Sequence, residues 1–324
     1  MLGAGSNLGL DNTSQLPLGH QLALRIQSQI SAELQEQTQF PQGHIGSALS
    51  RSPQGLTSDH VEAMRRIENA IVFKDSIDDL VDEWSDMPAL SEVAKVAIAV
   101  EILKGEATTQ LKSALQSSSP VSSVMRFIRE HWFGKVLRFS NPSGRRRDVQ
   151  DCLKNIRFIT FNYDRCLEVS LYLFLHYGQS VSREKCIEII EQIDIVHAYG
   201  SLGKIPELGG NRTFGSFDSG EALWASTEIM TYSEEQKSGQ IDNIRDLIEN
   251  SEKLVFLGFG YHPKNLKLLF RNLNTSRKIF GTTFGLDEQQ LHDLRLNFQR
   301  NFGKIETLSG DCSSAVEQLR STIF

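Results

Sequence analysis

From about residue 155 onward, short apolar runs alternate with helix-like stretches, and this rhythm restricts the fold more than any other feature. The runs are IRFITF (156–161), IDIVHAY (193–199), LVFLGFG (254–260), KIFGTTFG (278–285) and KIETL (304–308). A helix to Gly178 follows the first, and a long polar loop follows the second. Each of the last three leads into a helix. Strands and helices alternating at these lengths imply a parallel sheet covered on both faces.

The first half reads differently. Met1-Leu2 precede Gly3-Ala4-Gly5-Ser6, a glycine turn of the kind that follows a strand, although only two apolar residues of such a strand are present. Leu22, Ile26 and Ile30 predict a helix from about Leu16 to Ile30, with Pro17 near its start. Residues 35–56 are polar, contain Pro and Gly, and read as a loop. Residues 58–140 read as wholly helical. Val61, Met64, Ile67 and Ile71 form one stripe, with Asp59 and Glu62 as its start signal. Ile77, Leu80, Val81 and Trp84 form a second. Val93, Val96, Ala97 and Val100 form a third, stopped by Gly105. A fourth follows Ser119-Pro120 and carries Val124, Phe127, Ile128 and Trp132. NPSGRRRD (141–148) reads as a loop. The expected architecture is α/β: a doubly wound parallel sheet built from residues 1–35 and 150–324, interrupted by an all-helical insert at 57–149.

Composition excludes several classes. A chain of 324 residues buries roughly three-quarters of its unfolded surface and needs no metal or disulfide staple. A net charge of -6 argues against a surface that coats nucleic acid. No apolar run approaches the roughly 18 residues of a membrane span. The amino terminus lacks the basic start and apolar stretch of a signal peptide. Cys152, Cys166, Cys186 and Cys312 form no CxxC pair, so neither a zinc site nor a disulfide framework is expected. Together these features predict a cytoplasmic protein without a metal.

In open parallel sheets, ligands bind beyond the carboxyl ends of the strands, and five such ends carry informative residues. Gly3-Ala4-Gly5-Ser6, with Gly9, has the spacing GxGxxxG. That is not the GxGxxG of dehydrogenases, and no acid ends a strand about 20 residues on. Glycines there let the backbone approach a pyrophosphate; a plain tight turn is the bland alternative. In TFNYD (160–164), Asp164 suits a helix cap, whereas Asn162 is a polar group at a buried strand end that needs a partner. In VHAYGS (196–201), His197 stands near a strand end, where a group of pKa near 6.5 is a natural proton acceptor. The bland alternative is a core histidine bonded to a backbone carbonyl. LGFGYHPKN (257–265) brings two more glycines, and SGDC (309–312) places Asp311 as a helix cap before Cys312.

Taken in order, these five fragments resemble the sirtuin-like family of NAD-consuming proteins. The resemblance covers residues 1–30 and roughly 155–324, and a variable helical insert between those parts is usual for the family. It implies a sirtuin-like, Rossmann-type sheet and the following roles. Gly3, Ala4, Gly5 and Ser6 line the pyrophosphate. Asn162 positions a water or the nicotinamide ribose, and Asp164 supports the nicotinamide pocket. Gly258 and Phe259 flank the adenosine half, Thr282 and Thr283 approach its ribose, and Cys312 approaches the adenine.

This chain departs from the deacylases of that family. Their catalytic histidine directly precedes the glycine of the third motif, where this chain has Tyr199. Strand alternation puts His197 on the same face as Tyr199, displaced by about 6–7 Å, so His197 is the expected base. The four-cysteine zinc module and the proline-rich continuation of the first loop are both missing. What remains resembles the bacterial sirtuin-like NAD hydrolases of anti-phage systems. The implied activity is that of an NAD glycohydrolase yielding nicotinamide and ADP-ribose, with NAD as substrate and no metal. The alternatives are a module that binds NAD or a nucleotide signal without turnover and, disfavoured by the missing zinc module, a protein deacylase. Free NAD hydrolysis would drain the host, so the activity is expected to be gated. The implied partners are further copies of the chain in a homo-oligomer, or a translocase-type ATPase or Argonaute-like protein. No direct contact with nucleic acid or membrane is expected.

Overall fold

The computed structural model describes residues 1–8, 15–35, 40–74, 76–116, 121–140, 149–232, 234, 239–270 and 277–323. Gly9, Ser119-Pro120 and the segment 141–148 lie outside the described residues. The protein is a mixed α/β chain, mostly helical, with small parallel sheets.

All five apolar runs contain strands: β1 (Phe158–Thr160), β2 (Ile195–His197), β3 (Lys253–Phe256), β4 (Lys278–Thr282) and β5 (Ile305–Leu308). β1 pairs with β2, and β4 lies between β3 and β5; every pairing is parallel. The amino terminus joins the two sheets. Leu2 donates to the Ile159 carbonyl at 2.8 Å and accepts from Phe161 at 2.9 Å. On its other side Gly3 donates to Leu257 at 3.1 Å, and Leu257 donates to Met1 at 2.9 Å. The spatial order is therefore β2, β1, residues 1–3, β3, β4, β5, all parallel. Two apolar residues are enough for this role because the backbone, not the side chains, makes the bridge.

Neighbouring residues along these strands enter two different apolar cores, as the period-two geometry of a strand requires. Ile159, Val196, Phe256, Ile279 and Ile305 join the core shared with the helices between residues 19 and 107. Phe158, Leu257, Phe280 and Leu308 join the core shared with the helices Val121–Glu130, Trp132–Ser140, Cys166–Leu173 and Cys312–Ile323. The helical block thus serves both cores. Its first part surrounds the helix Pro88–Ala107, which is buried on nearly every side and packs against helices 19–34, 44–49, 58–70 and 219–228. Its last part, Trp132–Ser140, packs on the carboxyl-terminal helix.

Several local expectations change. The first helix runs Gly19–Leu34, starting later than its apolar stripe predicts. The 35–56 segment contains a short helix, His44–Leu49. It is too short to show periodicity, and the buried Glu33 carboxylate supplies what its exposed amides need, accepting from Ile45 and Gly46 at 2.9 Å each. Gly105 does not stop its helix. A Cβ there would lie 2.8 Å from the Leu16 side chain, so the glycine permits close packing inside a helix that continues to Ala107. The expected polar loop after β2 contains two helices, Ser219–Glu228 and Gln240–Glu249.

A buried ion pair ties the helical block to the sheet. Arg165, just before the helix Cys166–Leu173, meets Glu106 through Nε at 3.1 Å and Nη2 at 2.5 Å. Both side chains are essentially inaccessible, and the Arg165 guanidinium also donates to the Arg212 carbonyl at 2.9 Å. The full set of partners is what makes such a buried charge tolerable.

Candidate active-site cleft

A cavity of about 500 Å³ opens at the carboxyl ends of the strands, where residues 1–3 separate β1 from β3. This is within the usual range for a small-molecule site. Gly3, Ala4, Gly5, Asn162, Asp164, Gly258, Phe259, Thr282 and Cys312 all line it, so residues from opposite ends of the chain converge on one place.

The glycines work by letting two loops touch. A Cβ on Gly3 would fall 2.6 Å from the Gly258 carbonyl oxygen. Gly258 has φ +59°, and a Cβ there would fall 1.9 Å from the Ser6 nitrogen. Gly5 donates to the Gly258 carbonyl at 3.0 Å and Ser6 donates to Gly3 at 2.8 Å. Gly258 donates to Thr282 Oγ1 at 2.9 Å. These amides are thus committed within the protein, and the glycines give the cleft a low backbone floor. Thr282 lines the cleft but is buried and pins the Gly258 loop.

Asn162 is the most exacting group of the wall. Its amide N–H bonds Thr160 Oγ1 at 3.1 Å and its Nδ2 donates to Ser6 Oγ at 3.3 Å. Its Oδ1 is buried without a hydrogen-bond partner in the protein, the costly condition that marks a group built for something else. Asp164 is buried beside it. Its carboxylate accepts from Asn7 Nδ2 at 2.7 Å and from the Cys166 amide at 3.1 Å, so the helix-capping role stands alongside its place in the cleft. Burial, and then the charge of Glu106, holds the Asp164 carboxyl above its ordinary pKa.

Three expected residues stand elsewhere. Ser6 is buried behind the glycine floor, where its hydroxyl holds Asn162 and its carbonyl accepts from Trp132 Nε1 at 2.8 Å. Thr283, directly after β4, bonds the Leu308 carbonyl of β5 through Oγ1 at 3.2 Å and does not line the cleft. His197 lines a separate small cavity of about 20 Å³ behind Asn162, with Ser6, Asp164 and His131. Its Nδ1 lies 2.8 Å from the Asn162 carbonyl oxygen and its Nε2 lies 2.7 Å from Glu168 Oε1. The alternation argument fails because β2 ends at His197. The chain then turns, with Gly200 donating back to the His197 carbonyl at 3.2 Å. Tyr199 faces the cleft instead, and its hydroxyl donates to Asn265 Oδ1 at 2.6 Å.

The cleft also contains Asp78, which no motif announced, and three residues that the motifs contained but to which no role was given. Asp78 comes from the helix Ile77–Glu83, Tyr163 from the turn after β1, His262 from the turn after β3 and Lys264 from the first turn of the helix Pro263–Phe270. Phe284 lines the mouth with 67% of its surface exposed. The only sequence signal for Asp78 was its place beside an apolar helical stripe, which a solvated face explains equally well. Cys312 is buried, and burial pushes its thiol up to about 12, so it is an apolar wall group at neutral pH. Among the described residues, no group of three or more His, Cys, Asp or Glu side chains is arranged to hold a metal ion. No described helix is long and apolar enough to cross a membrane.

No protein-family model, curated protein or solved structure matches this chain.

Proposed function

We infer that the cleft binds NAD and that the protein cleaves the nicotinamide–ribose bond, releasing nicotinamide and ADP-ribose. The observation that carries this reading is the convergence of the glycine turns, Asp164 and Asn162, whose buried Oδ1 has no partner in the protein, on one nucleotide-sized cleft. Numbered along the chain from residues 1–3, the strand order reads 3-2-1-4-5-6. That is the order of doubly wound dinucleotide-binding sheets, whose ligands sit at the switch point beside the first strand. Apolar cores on both faces of the strands support the same doubly wound, sirtuin-like arrangement.

In this reading the dinucleotide lies across the glycine floor. The adenosine half takes the side of Cys312, Gly258 and Phe259, with Phe284 free to stack on the base. The nicotinamide ribose takes the side of Asn162 and Asp164. Asn162 accepts from a ribose hydroxyl or the attacking water and so fixes the geometry of attack. The buried carboxyl of Asp164 suits the cationic pyridinium ring. His197 holds the Asn162 backbone from behind. Control by self-assembly or by a partner such as a translocase-type ATPase or Argonaute-like protein, in a cytoplasmic defence role, belongs to the same reading. The apolar stripes of the helical block are largely consumed by the chain's own cores. Val72 and Phe73, 49% and 83% exposed, offer apolar surface on that block for such a contact.

The test is nicotinamide release from purified protein at several concentrations, with NAD affinity measured in parallel. Release that rises with protein concentration is expected. A second reading, a nucleotide sensor, draws on the engagement of both His197 ring nitrogens and on Tyr199 in the deacylase histidine position. NAD binding without release at any concentration would favour it, and no binding at all would overturn both.

A further inference from the structure

Asp78 stands in the cleft wall on the helix Ile77–Glu83, outside every motif that pointed to the site. Lys264 pins this helix to the sheet body, with its ammonium 2.6 Å from Asp79 and 2.8 Å from Asp82. His262 lies 3.5 Å from Asp79. The neighbouring carboxylates therefore hold the cation, while Asp78 Oδ1 lies 3.5 Å from the hydroxyl of Tyr163. Tyr163 directly follows Asn162, and both line the same cleft as Asp78. The charged and titratable groups around Asp78 come from three segments: Asp79 and Asp82 on its own helix, Tyr163 from the turn after β1, and Lys264 from the helix Pro263–Phe270. Burial first, then repulsion from Asp79 and Asp82, pushes its pKa up to about 6, against the opposing effects of Lys264 and Tyr163. A purely structural carboxyl would be stabilised more by the cation that its neighbours share. A half-buried acid held this way in a cleft, with a tyrosine hydroxyl as its side-chain partner, is the arrangement expected of a proton-transfer group.

Resting on the NAD-cleaving function above, we propose that Asp78 is the general base of the hydrolysis, delivered to the cleft by the helical block. Water oxygen forms a bond to C1 of the nicotinamide ribose as the C1–nitrogen bond breaks. The electron pair of the broken bond goes to the pyridine nitrogen, and the water proton goes to Asp78 and then to solvent. NAD⁺ and water thus give nicotinamide, ADP-ribose and one proton. The carboxylate also stabilises the positive charge that builds on the ribose during cleavage. A base of this strength is mostly ionised at neutral pH and still accepts a proton efficiently.

The experiment compares wild type, Asp78→Asn and Asp78→Glu by nicotinamide release from about pH 5 to 9 and by calorimetric NAD affinity. Wild-type kcat/KM is expected to fall about tenfold per unit below roughly pH 6 and to level above it. Asp78→Asn should lose at least about 100-fold in turnover, keep its NAD affinity within about threefold and lose the acid limb. Asp78→Glu should recover part of the rate. An active Asp78→Asn with the limb intact would overturn the assignment while leaving NAD cleavage standing. Should both variants misfold, a flat wild-type profile across the acid range would overturn it. A wild type that releases no nicotinamide would remove the NAD-cleaving function and this proposal with it.

Discussion

The imidazole of His197 meets the carbonyl oxygen of Asn162 at 2.8 Å on one side and the Glu168 carboxylate at 2.7 Å on the other. Burial alone would favour a neutral ring. The Glu168 charge and the two hydrogen bonds outweigh it and raise the pKa above its ordinary value. Both ring nitrogens face acceptors, so the ring satisfies both contacts only in its protonated form. In the proposed NAD-cleaving function, the chain Glu168–His197–Asn162 gives His197 a positioning role toward Asn162.

His197→Gln should lower turnover through misplacement of Asn162 but leave the pH profile of the remaining activity unchanged. If the acid limb vanishes instead, His197 is the base after all. Tyr199→Phe, which removes the bond to Asn265, should cost about 1 kcal/mol of stability and change turnover less than His197→Gln does.

The same pair sets a pH dependence of stability. The His197 contribution is fully present below the ordinary imidazole pKa of 6.5 and is lost as pH rises through its raised native value. Glu168, whose pKa is lowered because His197 outweighs the cost of burial, contributes fully above 4.5 and loses this as pH falls through its native value. The pair is at full strength between 4.5 and 6.5. The difference in Tm between wild type and His197→Ala should be largest there and shrink toward alkaline pH. A difference that grows toward alkaline pH would contradict the charged pair.

Asn162→Ala removes the carboxamide whose Oδ1 has no protein partner, and only a 3.3 Å bond to Ser6 is lost with it. The fold should survive, with a change within about 1 kcal/mol, while nicotinamide release falls by at least about 100-fold. Near-normal turnover in a well-folded variant would remove Asn162 from the mechanism.

Gly258→Ala places a methyl 1.9 Å from the Ser6 nitrogen at a φ of +59°. The two loops must separate, and a loss of roughly 2 kcal/mol or more is expected, together with loss of NAD binding. Thermal melts and calorimetry read both effects. An unchanged Tm would mean that the loops do not depend on this contact.

Glu106→Ala leaves the Arg165 guanidinium buried without its carboxylate. A loss of about 3–5 kcal/mol is expected, read as a large fall in the denaturation midpoint. Glu106→Gln should lose less, because an amide oxygen still accepts one of the bonds. Equal melting of both variants would show that charge, and not hydrogen bonding, is what Arg165 requires.

The alternation of apolar runs and helices in residues 155–324 determined the parallel strands and their order along the chain, because strand and helix periods are written locally. The glycine turn, Asn162 and the LGFG segment were legible for the same reason: a polar or flexible residue at a strand end stands out against its apolar run. Other features depend on contacts far apart in sequence. The helix His44–Leu49 exists with Glu33 as its partner, and Gly105 stays helical because Leu16 packs against it. Ser6 and Thr283 turn from the cleft because Asn162 and Leu308 bind them elsewhere. His197 and Tyr199 line different cavities because β2 ends at His197, before strand alternation reaches Tyr199. Asp78 entered the site only through the Lys264 clamp with Asp79 and Asp82. Periodicity assigns each residue to an element, but which side chains face one another is set by packing between elements. The tertiary structure alone decided that part.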